Sequence, residues 1–328
     1  MIELLLISIF VSFLLVVLVL PKWIQKCRKI GLVWEDMNKF GHPRNVASSG
    51  GVMVVMAFVL GVLSYVALKT FVFGGTVHSL EIFALLSVIL ILGIVGLTDD
   101  LLGWKNQGLS IKMRLILAFA ASIPLVVINA GTKVVGVPFV GAINFGIFYP
   151  LILIPLGIAG AATTYNFLAG YNGLEAGQGI LIVGFLSYVA YVTGSPWLAI
   201  IGLCMVAALF GFYIFNKFPA KVFPGDTMTY GVGALIAGMA ILGNFEKVAV
   251  IVFIPYIIEV ILKSRGGLKK HSFGIPDKKG HLNLPYSKIY GLEHLAIKIL
   301  GKQATERKVT YLIHAFQILF ILVAFLML

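Results

Sequence analysis

Charge is scarce in this chain. Only 12% of its 328 residues are Asp, Glu, Lys or Arg, whereas 60% are hydrophobic, and the mean hydropathy is +1.03. Soluble domains carry about twice that charged fraction, so a soluble globular protein is excluded. Cysteine is scarcer still: Cys27 falls in a basic segment and Cys204 in the middle of an apolar run. That placement excludes a disulfide framework, and no CxxC or HExxH spacing offers a zinc site. Acids are few, 13 against 25 Lys and Arg, for a net charge of +12. The first apolar run, Ile2 to Leu20, lacks a basic leader and a small-residue cleavage site, so it reads as a retained helix rather than a signal peptide. Internal repeats, low-complexity tracts and a separate soluble domain are all missing, leaving one transmembrane unit over 1–328.

What remains is a series of apolar runs near the length of about 20 residues that spans a bilayer. Ten can be placed, at 2–20, 50–68, 80–97, 115–130, 148–165, 180–194, 197–215, 228–243, 247–262 and 309–327. The expected fold class is all-α, a polytopic integral membrane protein with about ten transmembrane helices. Of the 25 Lys and Arg, only Lys69, Lys133 and Lys247 fall outside the connections that follow spans one, three, seven and nine. The positive-inside rule then puts those connections in the cytoplasm and both termini outside. The basic excess is thus topological, and no nucleic-acid partner is expected. The same assignment sends Glu35, Asp36, Asp99, Asp100, Glu175, Asp226, Asp277, Glu293 and Glu306 to the cytoplasmic side.

The longest connection, 263–308, contains two expected elements. Ile275-Pro276-Asp277-Lys278-Lys279-Gly280-His281 has the turn residues of a hairpin tip. Ile289, Leu292, Leu295, Ala296 and Ile299 then recur at helical spacing, with Lys288, Glu293, Lys298 and Lys302 between them, as in an amphipathic helix lying along the headgroups.

Polar residues cluster at three membrane edges. Asn166 to Gly179, NFLAGYNGLEAGQG, wedges a cation-free, glycine-rich turn between two apolar runs, which suits a backbone that closely approaches a polar ligand. Asp99 and Asp100 end span three, where the helix dipole disfavours carboxylates, so a cation or metal is expected near them. The plain alternative is a solvated helix end with Lys105 as counterion. Successive helical residues point about 100° apart, so the two acids cannot address one ligand equally. Asp226 opens span eight after Phe223-Pro224-Gly225, where it reads equally as an N-cap and as a ligand for magnesium. Asn166 and Asn172 flank Gly170 and offer neutral oxygens for a metal or a donor–acceptor pair for a base; helix termination by Asn and Gly is their plainer reading. Phe223 can stack on a planar ligand or simply face the interface.

The stretch Asn166–Gln178, together with Val222-Phe-Pro-Gly-Asp-Thr227, closely resembles the polyprenyl-phosphate N-acetylhexosamine-1-phosphate transferases, and within them the dolichyl-phosphate branch. Asp99-Asp100, Asp36-Met-Asn-Lys39 and Pro285-Tyr-Ser-Lys288 fit the same family. The resemblance implies that Asp226 and Asn166 hold magnesium, for which manganese can substitute, against the nucleotide pyrophosphate. It implies uracil contacts from Asn172 and Phe223, a reaction centre at Asp99 and Asp100, and a phosphate-binding cation at Arg114 with Lys112 as the alternative. Gly170, Glu175, Lys39 and His271 complete the substrate-binding set. An Arg-His-Arg cluster that the dolichol-type members carry before Ile-Pro is replaced here by Lys269-Lys270-His271-Ser-Phe-Gly274.

The expected reaction moves N-acetylglucosamine 1-phosphate from UDP to an isoprenoid lipid phosphate and releases UMP. The partners are the two substrates and membrane lipids, and a homo-oligomer is compatible with the sequence. Short connections favour a prokaryotic membrane, an archaeal one included, over the endoplasmic reticulum. The rival of another class is a transporter or flippase, since intramembrane polar residues often mark a transport path. Against it, the acids gather at one face and the span middles hold almost no charge.

Overall fold

The computed structural model describes residues 2–74, 78–105, 108–137 and 141–328, and over these the chain is mostly helical. Helix α1 (Ile2–Ile30) leads to a hairpin of β1 (Val33–Glu35) and β2 (Arg44–Ala47), then α2 (Gly51–Phe71) and α3 (Ser79–Lys105). Helices α4 (Ile111–Ala121) and α5 (Ile123–Val127) precede a second hairpin, β3 (Val134–Val137) with β4 (Gly141–Asn144). In the Gly/Val-rich connection at 131–147, residues 138–140 lie outside the described residues. A π-helical turn at Tyr149–Leu153 opens α6 (Ile154–Tyr165), followed by α7 (Leu174–Val192), α8 (Pro196–Asn216) and α9 (Gly225–Gly243). The chain ends with α10 (Glu246–Val252), α11 (Ile254–Ser264), a small hairpin of β5 (Ile275–Pro276) and β6 (Leu282–Asn283), α12 (Leu292–Leu300) and α13 (Glu306–Phe325).

Seven of the described helices, α1, α2, α3, α7, α8, α9 and α13, are long and apolar enough to cross a bilayer. Of the other three expected runs, two are interrupted and one is a single shorter helix, and each carries proline, which removes a backbone donor and crowds the preceding turn. Run 115–130 divides at Ser122, just before Pro124. Run 148–165 passes Pro150 and Pro155, and its π-helical opening gives way to α6. Run 247–262 breaks at Phe253 before Pro255. The Val252 carbonyl freed there accepts the Gln317 side-chain N–H at 2.9 Å, which spares an unpaired polar group in an apolar setting.

Helix α9 is the centre of the bundle, and 83% of its apolar window is buried. Its small residues allow close approach. A β-carbon on Gly233 would lie 2.5 Å from the Ala161 carbonyl of α6. One on Gly96 of α3 would lie 2.5 Å from the backbone of Asp226 and Thr227. The start of α9 is therefore pressed between α3 and the end of α6, and this sets the depth of the acidic residues.

In the last connection β5 pairs with β6, and the Asp277 N–H donates to the His281 carbonyl at 2.8 Å. Helix α12 begins at Leu292 rather than Ile289 and differs from the expected amphipathic pattern. Glu293, read as part of a polar face, is buried together with His294, Leu292, Ala296 and Ile297, whereas Ile299 is 65% exposed. The buried face is rotated because α12 packs on α11 and α13.

Candidate active site

A cavity of about 900 Å³ opens where α3, α9, the end of α6, the first hairpin and the last connection meet. Asp99, Asp100, Arg114, Asn166, Gly170, Glu175, Phe223, Asp226 and His271 all line it. These are nine of the twelve residues singled out from sequence; Lys112, Asn172 and Lys39 do not line it.

Asp99 and Asp100 are not at a helix end, since α3 continues to Lys105. Their divergent directions serve different neighbours, as helical geometry requires. Asp100 Oδ1 accepts the Asp226 N–H at 2.8 Å, and Oδ2 accepts the Thr227 hydroxyl at 3.2 Å. Pro224, at the start of α9, supplies no side-chain cap. Asp100 therefore caps α9 from another helix, and Asp226 is not the N-cap its position allowed. Gly225 makes this approach possible: it has φ +69°, and a β-carbon there would collide with the Asp100 carboxylate. Asp100→Ala is expected to loosen the first turn of α9, read as faster amide hydrogen exchange at 226–228, with Asp100→Asn retaining most of the protection. Unchanged exchange in the alanine variant would remove the capping role.

Asp99 accepts the Leu109 N–H and lies 3.2 Å from Arg114 Nη1. The same Nη1 is 3.7 Å from Asp226 Oδ2, and Arg114 Nε donates to the Leu109 carbonyl at 3.1 Å. Arg114 thus bridges two acids carried by different helices. Lys112 is exposed and does not line the cavity, so the structure brings Arg114 and not Lys112 to the acids. Three carboxylates against one guanidinium leave this corner formally at −2.

Asn166 ends α6, and its Oδ1 accepts the Thr229 hydroxyl at 3.1 Å; that hydroxyl also lies 3.2 Å from the Asp226 carbonyl. One side-chain oxygen of Asn166 is so placed beside the first turn of α9. Beyond it the glycine-rich turn folds back: Gly170, at φ +99°, donates its N–H to Glu175 Oε1 at 2.9 Å. Its carbonyl accepts the Asn38 side-chain N–H at 2.8 Å, and a β-carbon at Gly170 would meet the Phe273 ring at 2.6 Å. Glu175 Oε2 is buried without a partner among the described residues. Phe223 is held at the rim by its backbone, which pairs with Ala47 at 2.8 Å and with Gly50 at 2.9 Å.

Asn172 and Lys39 depart from expectation. Neither lines the cavity. Asn172 Oδ1 accepts from Lys39 Nζ at 2.9 Å and from the Ala220 N–H at 2.8 Å, and its own N–H donates to Glu306 Oε1 at 2.8 Å. Lys39 also pairs with Asp36 and with Glu306 and lies 4.7 Å from the centre of the Phe218 ring. The two residues tie the first hairpin and the glycine-rich turn to the start of α13, and their polar atoms are already engaged.

In the last connection only His271 of the basic run reaches the cavity, with its ring stacked on Phe273 at 6.4 Å. Lys270 instead lies over the rings of Tyr286 and Tyr290, at 4.9 and 5.9 Å. The first hairpin supplies Trp34, Glu35, His42 and Arg44, none of which sequence reasoning placed at the site. A bulge between Trp34 and Glu35 lets consecutive side chains face the cavity where a regular strand would alternate them.

Residues 82–244 match the family described as glycosyl transferase family 4. The chain is also 34% identical, over 97% of its length and 94% of the relative's, to a Sulfolobus acidocaldarius protein provisionally named UDP-N-acetylglucosamine–dolichyl-phosphate N-acetylglucosaminephosphotransferase. The chain belongs to glycosyl transferase family 4. A Dictyostelium discoideum protein named as the same phosphotransferase is 30% identical over 74% of this chain and 67% of its own. A Halalkalibacterium halodurans phospho-N-acetylmuramoyl-pentapeptide-transferase is 31% identical over 78% of this chain and 80% of its own. The family 4 match runs from α3 to the end of α9, so it contains the aspartates, Arg114 and the glycine-rich turn. The first hairpin and the last connection lie outside it.

Proposed function

We propose that this chain transfers N-acetylglucosamine 1-phosphate from UDP-N-acetylglucosamine to a polyprenyl phosphate of the dolichyl type, releasing UMP as the first lipid-linked step of glycan assembly. The observation that carries the reading is the corner where Asp99, Asp226 and Arg114 converge on a cavity beside Asn166. In the reaction a lipid phosphate oxygen attacks the sugar-bearing phosphorus, a new pyrophosphate bond forms, and the bond to the UMP oxygen breaks. Two anions must approach each other, so the site has to offset their repulsion. Arg114 is placed to contact phosphate oxygens while Asp99 and the Leu109 carbonyl fix its orientation.

The donor set also fits magnesium. Among the described residues no group of three or more His, Cys, Asp or Glu is arranged to hold an ion by itself. One carboxylate from Asp226 and one amide oxygen from Asn166 leave the remaining positions to phosphate oxygens and water, the coordination that magnesium prefers. When bound, the ion neutralises charge on the pyrophosphate. Asp100, committed to capping α9, holds Asp226 at this position. A second, apolar cavity of about 560 Å³ runs along α6 and α9 to Phe253 and Ile257, and its lining suits an isoprenoid chain.

The basic connections support a reading in which this chemistry lies on the cytoplasmic side of a ten-span fold whose three shorter runs also cross. Archaeal and bacterial relatives favour a prokaryotic cell membrane. The transporter reading finds no support in the relatives, which are named as transferases. Purified protein given UDP-N-acetylglucosamine and a lipid phosphate is expected to release UMP only with magnesium present. The N-acetylgalactosamine epimer and lipids of several lengths then fix the substrates. Lipid translocation without UMP release would overturn the reading.

His271→Ala is expected to weaken UDP-N-acetylglucosamine binding by about tenfold while UMP binding stays within about twofold, the loss of one polar contact to the sugar end. Calorimetry on both ligands reads it. Equal losses would assign His271 a general electrostatic role, and no loss would leave the segment as a headgroup contact.

A further inference from the structure

The last connection contains a buried charge cluster that the transfer reaction does not use. Glu259 of α11 and Glu293 of α12 are both fully enclosed. Glu259 Oε1 lies 3.4 Å from Lys263 Nζ, and Oε2 accepts the Leu292 N–H at 2.6 Å. A β-carbon placed on Gly291 would stand 2.6 Å from Glu293 Oε2 and 2.9 Å from Glu259 Oε1. The two carboxyls, carried by different elements, therefore converge on one point. Neither oxygen of Glu293 has a hydrogen-bond partner among the described residues.

The surrounding groups do not balance this charge. From α12, His294 accepts the Tyr290 N–H at 3.3 Å, and burial together with Lys263 pushes its imidazole below the ordinary value, so it is neutral. From the glycine-rich turn, the Tyr171 hydroxyl donates to the Ser272 carbonyl at 3.3 Å, and burial with Glu293 keeps that phenol un-ionised. Tyr256 of α11 adds a buried phenol. From α13, Glu306 is engaged by Lys39 at 3.4 Å. Lys263 is left facing two buried carboxyls, and it also donates to the Phe167 carbonyl. A second enclosed carboxylate without its own cation is strongly unfavourable.

We propose that Glu259 and Glu293 hold one proton between them, and that this shared proton fastens the last connection, with its cavity wall from His271 to Tyr286, onto α11. With the proton in place the cluster is neutral: one carboxylate, one carboxylic acid and one ammonium. Ser272 lies between Tyr171 and this cluster, so the clasp is connected to the cavity's edge. Loss of the proton leaves two carboxylates competing for Lys263, and α12 is pushed away from α11.

The pH dependence has a definite sign. Burial first, and Glu259 second, raise Glu293 well above the ordinary glutamate range. The native state then binds a proton that the unfolded state has released, so stability falls as pH rises from about 4.3 toward the raised value, and the clasp is gone above it.

The experiment uses the full chain in detergent and needs no transferase activity, so its failure is distinct from failure of the proposed reaction. Infrared difference spectra across a pH series are expected to contain an un-ionised carboxyl band that disappears in both Glu293→Gln and Glu259→Gln. Glu293→Gln, which fixes the neutral form, is expected to flatten the decline of melting temperature with pH and to move its alkaline loss up by about one pH unit or more. Gly291→Ala, which drives a methyl group between the carboxyls, is expected to remove the band while leaving both acids in the chain. If Glu293→Gln is less stable than the parent at every pH, the site needs an anion at Glu293 and the shared proton is wrong. A band that persists in both glutamine variants overturns it equally.

Discussion

Asp226→Asn is expected to remain folded and to lose turnover by at least about 10²-fold, the scale of removing one strong electrostatic contact at a reaction centre. The fold should survive because the first turn of α9 takes its cap from Asp100 and not from Asp226. The substitution also keeps shape and backbone donors, and changes the formal charge of the corner from −2 to −1. Arg114 Nη1, 3.7 Å from Asp226 Oδ2, keeps Asp99 as a partner at 3.2 Å. The magnesium concentration for half-maximal rate should rise, because a neutral amide oxygen replaces the carboxylate. Two measurements separate the outcomes: steady-state rates against magnesium, and hydrogen exchange at 226–228. Near-normal turnover at limiting magnesium would assign Asp226 to packing alone, and lost protection at 226–228 would mean that the helix start, rather than the ion site, had failed.

Much of this corner was legible in the sequence for one physical reason. In a chain this apolar, Asp99, Asp100, Asp226 and the Asn166–Gly179 turn have no packing advantage to explain them. The distribution of duties among them was not legible. Whether Asp226 caps its helix depends on the approach of α3 at Gly96 and Gly225, and no local pattern encodes that approach. The structural engagement of Asn172 and Lys39 was not legible, because a buried structural network and a ligand contact use the same residue types. Only the positions of Glu306 and Ala220 show that their polar atoms are taken. The hairpin wall at Trp34 to Arg44 was missed because its orientation follows from a bulge that exists only once 33–35 pairs with 44–47. Hydropathy located ten apolar runs, but a window average passes over one proline: two runs proved to be interrupted and a third is a shorter helix with a π-helical start.

Arg114→Ala should reduce turnover by about 10²-fold or more and raise the lipid-phosphate requirement, with Arg114→Lys recovering part of the loss. Arginine is suited to this position by its planar fork, which reaches Asp99, Asp226 and the Leu109 carbonyl together. Lysine offers the charge without the fork, so it should restore attraction for phosphate but not the fixed geometry. The response to magnesium should be opposite to that of Asp226→Asn. Removing the guanidinium takes the formal charge of the corner from −2 to −3, and a divalent cation is then held at least as well as before. Rates measured with lipid and magnesium varied independently test both halves. A half-saturating magnesium concentration that falls or stays level, with a raised requirement for lipid phosphate, is the expected pair of results. If both requirements rise together in Arg114→Ala, the arginine acts by holding Asp99 and Asp226 in place rather than by meeting the phosphate. If neither changes and turnover is intact, the phosphate contact lies elsewhere, and Lys112, exposed two residues earlier on α4, becomes the next residue to replace.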